Sequence, residues 1–278
     1  MYDLHTHTVF SDGTTTPEDN AALAAAAGLD GVALTDHDTL DGWERMAAAC
    51  EAAGVEFVPG VELSAEADGR SVHVLGYWVD PADPALRAEC VRLRAERERR
   101  GRVMVERLAA HGTGVTWDEV AVIAGPAPVG RPHLASALVA RGAARDIEHA
   151  FTRWLAEDGP VHEPKRALAP AAAVRLVVEA GGAAVLAHPA STFPGPALPD
   201  ALLDELRACG LRGLEADHPA HDEASTRRWR DAAASRGLLV TGASDFHGGR
   251  KAVRIGTRTT PDGVVALLRE ASRGGARW

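Results

Sequence analysis

Histidine, aspartate and glutamate recur in this chain at one kind of place, the end of a short apolar run. His5 and His7 follow the run at 2–4, Asp36 and His37 the run at 31–34, and Glu62 the run at 56–58. His73 lies inside the run at 72–76, and His188 follows 183–187. His218 comes soon after 213–215, and Asp245 and His247 close the run at 238–241. Each group alone has an ordinary reading. His-Thr-His puts two imidazoles on one face of a strand, His73 could be a hydrogen-bonded core residue, and Asp36 could cap a helix or a turn. Together with His133 these positions hold eight of the 12 histidines, whereas His111, His149, His162 and His221 fall in helical or loop contexts. So many imidazoles and carboxylates at one rim are costly unless something pairs them, because buried polar groups need partners and like charges repel. Bound cations supply that pairing.

The donors are nitrogen and oxygen without thiolate. That set suits Mn²⁺, Zn²⁺ or Fe²⁺ better than a soft metal, and it is too rich in imidazole for Mg²⁺ or Ca²⁺ alone. One ion cannot use so many ligands, so two or three divalent ions are expected, with a carboxylate such as Glu62 bridging neighbours. The three cysteines, Cys50, Cys90 and Cys209, are far apart and form no C-x-x-C, which suggests neither a disulfide framework nor a thiolate zinc site.

The elements that must position these residues alternate. Between the seven apolar runs lie helical patterns at 17–27, which Thr16 can cap, at 40–53 before Gly54, at 171–180 before Gly181, and at 223–236 before Gly237. Strands alternating with helices that stop on glycine predict an α/β fold with a mainly parallel sheet, open or closed into a barrel, whose functional residues gather where the strands end. The alternation breaks between about 84 and 164, where helical patterns at 86–110, 117–123, 133–140 and 147–157 follow one another. This predicts a catalytic domain of 1–83 and 165–278 with a helical cap insertion at 84–164. The run RLRAERERRGR within it reads as a solvated helix face with paired charges.

The 278 residues, 46% hydrophobic and 25% charged, suffice for a large core. A formal net charge of −9 gives no global field to attract long nucleic acid or an anionic membrane, so a phosphate-bearing substrate must be captured locally. The start MYDLHTHTVFSDG lacks the pattern of a secretory signal. No apolar stretch approaches the roughly 20 residues that span a bilayer. A cytoplasmic protein without membrane association is expected.

In order along the chain, HTHTVFSDG, LTDHDT, GVELSA, VHVLGY, GRPH, LAHP and SDFH resemble the PHP family, the polymerase and histidinol phosphatase superfamily. They are most similar to its stand-alone branch, which dephosphorylates nucleoside 3′,5′-bisphosphates and trims RNA 5′ ends. The likeness runs from residue 2 to about 258. It implies a distorted seven-stranded, TIM-like β/α barrel with a helical cap, and two or three ions, Mn²⁺ foremost. By motif, His5, His7, Glu62 and Asp245 would hold a first ion. Glu62, His73 and His133 would hold a second, and Asp12, His37 and His247 a third. His188 is left as ligand, phosphate contact or proton donor. His218 is the other candidate donor, and Asp36 would orient an adjacent ligand. The expected chemistry is phosphate ester hydrolysis by metal-activated hydroxide, since an ion can lower the pKa of its water from 15.7 to about 7.

A bisphosphate carries a second anionic group, for which Arg131, Lys165 and Arg166 are the candidate cations. The expected partner is a small phosphorylated nucleotide or a short RNA, with no sign of a DNA polymerase subunit. After LAHP the chain continues Ala-Ser-Thr, where relatives often show a Gly-Arg-Tyr-like continuation. The runner-up activity is a histidinol-phosphatase-like monoesterase or another PHP phosphatase. An amidohydrolase-type C–N hydrolase commonly needs a carboxylated lysine, and Lys165 and Lys251, the only lysines, are not expected among the ligands. An inactive metal-binding module would show missing motifs, and none is missing.

Overall fold

The computed structural model describes residues 1–156, 158–197 and 199–272. Seven strands follow one another around one sheet in chain order: β1 Tyr2–Asp3, β2 Gly31–Leu34, β3 Glu56–Ala67, β4 Arg70–Tyr77, β5 Ala183–Leu186, β6 Leu211–Asp217 and β7 Leu239–Gly242. The sheet comes nearly full circle. Just past β1 and β7, Thr6 and Phe246 form a parallel bridge, and the His7 N–H donates to the Phe246 carbonyl at 2.8 Å. Interior positions such as Leu4, Ala33, Val58, Leu75, Val185 and Ala243 fill the barrel. β2 and β5 are buried along their whole length, which is why they read as unbroken apolar runs rather than alternating ones.

The sheet is less parallel than the sequence reading implied, because β4 runs antiparallel to both β3 and β5. The third strand is also far longer than the run at 56–58. Its first four residues pair with β2 as far as Leu34↔Pro59. Beyond Pro59 it exchanges that partner for β4, from Gly60↔Tyr77 to Ala67↔Arg70. A tight turn with positive φ at Asp68 (50°) and Gly69 (76°) closes this hairpin. Pro59-Gly60 therefore marks a change of partner, not a strand end. The antiparallel course of β4 brings its first half, with His73 opposite Ser64, to the rim where the parallel strands finish.

The helices, in chain order, are α1 Pro17–Ala26, α2 Trp43–Ala53, α3 Pro84–Ala110, α4 Trp117–Ala124, α5 Arg131–Ala140, α6 Ile147–Ala150, α7 Pro170–Glu179, α8 Pro189–Thr192, α9 Asp200–Ala208, α10 Glu223–Arg236 and α11 Asp262–Ala271. A π-helical turn, Phe151–Leu155, continues α6, so the predicted helix at 147–157 stops at Leu155; Glu157 itself lies outside the described residues. Local chemistry sets the ends. Thr16 and Asp19 form a capping box at the start of α1. Gly54 and Gly237, at φ of 71° and 64°, end α2 and α10 in the left-handed conformation that favours glycine.

The chain divides into two compact units. One is Met1–Cys90 with the described residues from Ala167 on, which is the barrel; the other is Val91–Arg166 and is helical. The helical unit has its own core of Met104, Leu108, Val120, Leu134, Leu138, Trp154 and Leu155. Its charged run forms Arg99–Glu96 and Arg102–Glu98 pairs along α3, while Arg99 and Arg107 both reach Glu163. Such partly exposed pairs contribute little, about 0–1 kcal/mol each. Among the described residues, no helix is long and apolar enough to cross a membrane.

Candidate metal centre

The segment that leaves β1 turns both imidazoles of His-Thr-His into the barrel mouth, while Thr6 between them bonds away to the Ala33 carbonyl at 2.6 Å. The Nε2 atoms of His5 and His7 lie 3.0 Å apart. Glu62, buried on β3, faces them. Its Oε2 is 3.3 Å from His5 Nε2, 3.1 Å from His7 Nε2 and 3.0 Å from His37 Nδ1. Its Oε1 is 2.8 Å from His73 Nδ1 and 3.2 Å from His188 Nε2. Asp245 Oδ1 is 3.5 Å and 3.4 Å from the same two Nε2 atoms. Asp12 Oδ1 is 3.3 Å from His247 Nε2, and its Oδ2 is 3.8 Å from His37 Nε2.

Four sets of donor atoms lie within 4.8 Å of one another: His7, Asp12, His37 and His247; His5, His7 and Asp245; His5, Glu62 and His188; and His37, Glu62 and His73. Glu62, His5, His7 and His37 each belong to two sets. A cluster of adjoining cation sites has this form; a single site does not.

The protons of the two leading imidazoles are assigned by their outer neighbours. His5 Nδ1 is 3.0 Å from the buried carboxylate of Glu215, which can only accept, so the proton sits on Nδ1. His7 Nδ1 is 3.3 Å from Ser11 Oγ, whose own hydrogen is donated to Asp36 Oδ1 at 2.5 Å; Ser11 thus accepts from His7. In the neutral form of each ring the Nε2 lone pairs then point at each other and at two carboxylates. Glu62 Oε2 is buried with no hydrogen bond reaching it among the described residues. Donor atoms converging in this way around a buried carboxylate oxygen could hold a divalent cation.

Electrostatics agree. Burial disfavours the charged form of His5, yet the Glu215, Glu62 and Asp245 carboxylates outweigh it and hold the pKa well above 6.5. His7, likewise buried, is raised to about 9 by Asp245 and Glu62. Burial pushes Asp12, Glu62 and Asp245 upward, but the surrounding imidazoles, and Lys251 at Asp245, bring all three well below their ordinary values. A field that draws protons onto imidazoles also draws divalent cations. Two members of the donor sets have positive φ, His188 at 25° and Asp245 at 53°, a conformation that non-glycine residues keep only where the surroundings enforce it.

The other expected residues fall as follows. Asp36 does not face the donor sets; it accepts from Thr8 N at 2.8 Å, from Thr8 Oγ1 and from Ser11 Oγ, fastening the loop that carries Asp12. His188, which the sequence left open, stands beside Glu62. His218 Nδ1 accepts from the Ala220 N–H at 3.1 Å, so its proton is on Nε2, 3.3 Å from Asp245 Oδ2. His133 belongs to the helical unit, where its Nδ1 accepts from the Gly130 N–H at 3.0 Å at the start of α5. Arg131, Lys165 and Arg166 belong to that unit as well; Arg131 lies over the Phe151 ring and donates to the Leu155 carbonyl. Lys251 departs from expectation: the turn after β7 returns it to the rim, and its Nζ donates to Asp245 Oδ2. Glu215 and Ser11 escaped the sequence reading. A lone Glu inside an apolar strand was the available signal for the first.

The chain resembles known proteins over nearly its whole length. The family model of the PHP domain matches residues 3–112. A 3′,5′-nucleoside bisphosphate phosphatase of Chromobacterium violaceum is 35% identical over 88% of this chain and 86% of its own. The chain belongs to the PHP family. A phosphoribosyl 1,2-cyclic phosphate 1,2-diphosphodiesterase of Eggerthella lenta is also 35% identical, over 88% of this chain and 94% of its own. A 5′-3′ exoribonuclease of Salmonella typhimurium is 34% identical over 68% of this chain and 65% of its own. The solved structure of a metal-dependent phosphoesterase from Bifidobacterium adolescentis superposes with a TM-score of 0.92 at 36% identity, covering 98% of this chain and 96% of the other. This PHP protein is a metal-dependent phosphoesterase on the distorted seven-stranded barrel that its motifs implied.

Proposed function

We propose that this PHP phosphoesterase removes the 3′-phosphate of nucleoside 3′,5′-bisphosphates and trims short RNA from the 5′ end, using a three-ion centre with Mn²⁺ as the working metal. The observation that carries this reading is the sharing of Glu62, His5, His7 and His37 between adjoining donor sets. Enzymes with adjoining ions use them to clamp the attacking and leaving oxygens of an in-line displacement at phosphorus. The named relatives act on phosphate esters of ribose-containing compounds.

In this reading His5, His7, Asp245 and Glu62 hold the first ion, Glu62, His73 and His188 the second, and Asp12, His37 and His247 the third. His188 joins the second set on its 3.2 Å distance to Glu62, and His133 is carried forward as the motif's candidate for the same ion. When bound, the ions supply a nucleophile from water at neutral pH and neutralise the phosphoryl oxygens. His218 presents a fixed Nε2–H beside Asp245, held in that tautomer by the Ala220 N–H, and we assign it a hydrogen bond that stabilises the departing ribose oxygen, which takes its proton from solvent. Arg131, Lys165 and Arg166 are carried forward as candidate anion-binding cations of the helical unit on the chemistry of their side chains alone.

The test is product release by Mn²⁺-loaded protein, read as phosphate from adenosine 3′,5′-bisphosphate, phosphoribosyl 1,2-cyclic phosphate, histidinol phosphate and AMP, and as nucleoside monophosphate from a 5′-phosphorylated short RNA. The bisphosphate or the RNA is expected to be preferred. Preference for the cyclic phosphate would move the assignment to the second relative's chemistry, and turnover of histidinol phosphate alone would overturn it. His218→Ala is expected to lower kcat about 10²- to 10³-fold, the usual cost of removing one hydrogen-bond donor to a developing oxyanion, with bound ions retained.

A further inference from the structure

Glu215 is fully buried near the end of β6, where the pairing with β7 slips between Glu215 and Asp217. Both of its oxygens are committed. Oε1 is 3.0 Å from His5 Nδ1, and Oε2 accepts the His188 N–H at 2.8 Å. These bonds reach two different ligands of the centre through two different kinds of group, a ring nitrogen and a main-chain amide. His188 has φ 25° and ψ 56°, which a residue with a Cβ adopts only under constraint. A second tie holds the same turn: His221 Nδ1 donates to the Ala216 carbonyl at 2.9 Å, and its Nε2 accepts the Ala190 N–H at 3.2 Å. The end of β6 thus grips the His188–Pro189–Ala190 turn at two points.

We propose that Glu215 is a positioning residue for the metal centre, one carboxylate that sets the tautomer of His5 and the backbone of His188 together. With the proton held on Nδ1, His5 turns its Nε2 lone pair toward Glu62, His7 and Asp245. With its N–H anchored, His188 keeps the strained turn that brings Nε2 to 3.2 Å from Glu62 Oε1. The inference rests on the reading of His5 and His188 as ligands.

Only a carboxylate performs both tasks, because both neighbours offer hydrogen and both oxygens must accept. The amide of a glutamine accepts at one end and donates at the other. An NH₂ facing His188 N–H sets donor against donor and releases the strained turn. An NH₂ facing His5 Nδ1 makes that nitrogen accept, sends the proton to Nε2 and points it at the ions. Aspartate is one methylene too short to reach both groups from the same Cα.

The full chain with Glu215→Gln or Glu215→Asp is compared with wild type in three measurements: ions bound per chain after Mn²⁺ loading with the dissociation constants, thermal melting in chelator, and ring-nitrogen tautomers by long-range ¹H–¹⁵N correlation on ion-free and Zn²⁺-loaded protein. Glu215→Gln is expected to melt as a folded protein yet bind ions about 10- to 100-fold more weakly, the usual loss when a ligand's hydrogen-bond partner is removed. Ion-free wild type at high pH is expected to show His5 as the Nδ1–H tautomer. Wild-type ion affinity in Glu215→Gln overturns the proposal. So does an Nε2–H tautomer of His5 in the wild type, a result that stands even where the variant fails to fold. His7→Ala separates the two levels: unchanged ion content in that variant would sink the metal centre itself, whereas lost ions there with none lost in Glu215→Gln would sink only the role of Glu215.

Discussion

The barrel unit and the helical unit bury different kinds of side chain. Among the described residues 25 polar or charged ones are buried, and of these only Arg100 and His133 lie in Val91–Arg166; the rest are in the barrel unit. The helical core is Leu, Val, Ala, Met and Trp, and it is held by the transfer of apolar surface from water, about 1.5–3 kcal/mol for each large side chain. The barrel mouth sets imidazoles and carboxylates against one another in a place where each unsatisfied group is costly. One part of the molecule is arranged for stability, and the other gives some of it up for a cation-binding surface. Substitutions in the two should therefore separate cleanly into losses of chemistry and losses of fold.

The largest effect is expected from His7→Ala, because His7 serves two donor sets. Bound ions account for several kcal/mol of charge stabilisation, so losing them should lower phosphate release by about three orders of magnitude or more. Elemental analysis should find fewer ions per chain. An active His7→Ala that keeps its ions would break the comparison at its barrel end.

The second effect lies in the other unit and should be of the other kind. Leu138 is fully buried in the helical core, and Leu138→Ala leaves a cavity worth about 2–5 kcal/mol of unfolding free energy. Denaturant unfolding should show that loss while ion content in the folded protein stays at the wild-type number. Loss of ions in this variant would mean that the two units do not divide the work as their burial suggests.

Much of this division was legible in the sequence, and the misses share a cause. His5, His7, His37, Glu62, Asp245 and His247 were readable as candidates because they recur where apolar runs end, Asp12 came only through its motif, and the alternation of strand with glycine-stopped helix gave the barrel. The reversal of β4 was not readable, since an antiparallel strand buried on both sides carries the same apolar pattern as a parallel one. That reversal is also what brings His73, in mid-strand, to the rim. His188 was left open by its motif, and only its 3.2 Å distance to Glu62 Oε1 sets it among the donor sets. Glu215 and Ser11 bond to members of the donor sets from behind, and for Glu215 the partner is remote in sequence. Lys251 reaches Asp245 because a turn doubles back, and periodicity does not report turns of that kind.

A third test uses protons, which only one of the two regions should feel. His7 is raised from 6.5 to about 9, so in the ion-free protein it is charged below about 9, and the ion pairs it forms there favour the folded state. That stability is fully present below 6.5 and is lost as pH rises through 9. An incoming ion must displace the same proton, so apparent ion affinity should fall about tenfold for each pH unit below 9. Melting in chelator and in Mn²⁺ should thus show opposite pH trends over this window. Parallel trends would remove His7 from the set of groups that exchange protons for ions.

The smallest effects come from a feature the two regions share. Thr16 with Asp19 begins α1 in the barrel unit, and Thr116 with Glu119 begins α4 in the helical unit, each pair forming a capping box. Thr→Ala at either site removes the acceptor for an orphan helix N–H and should cost about 1 kcal/mol. Equal losses in thermal melting would show that the units differ in what they bury and not in how their helices start. The two variants should still differ in one respect. Asn20, in the first turn of α1, donates through Nδ2 to the His7 carbonyl at 3.1 Å and accepts from Thr15 Oγ1 at 2.7 Å. Fraying that turn loosens the backbone behind a candidate ligand, whereas α4 belongs to the helical unit. Thr16→Ala should therefore weaken ion binding slightly and Thr116→Ala should leave it unchanged, and a shift of the same size in both would show that ion affinity follows global stability and not the local support of His7.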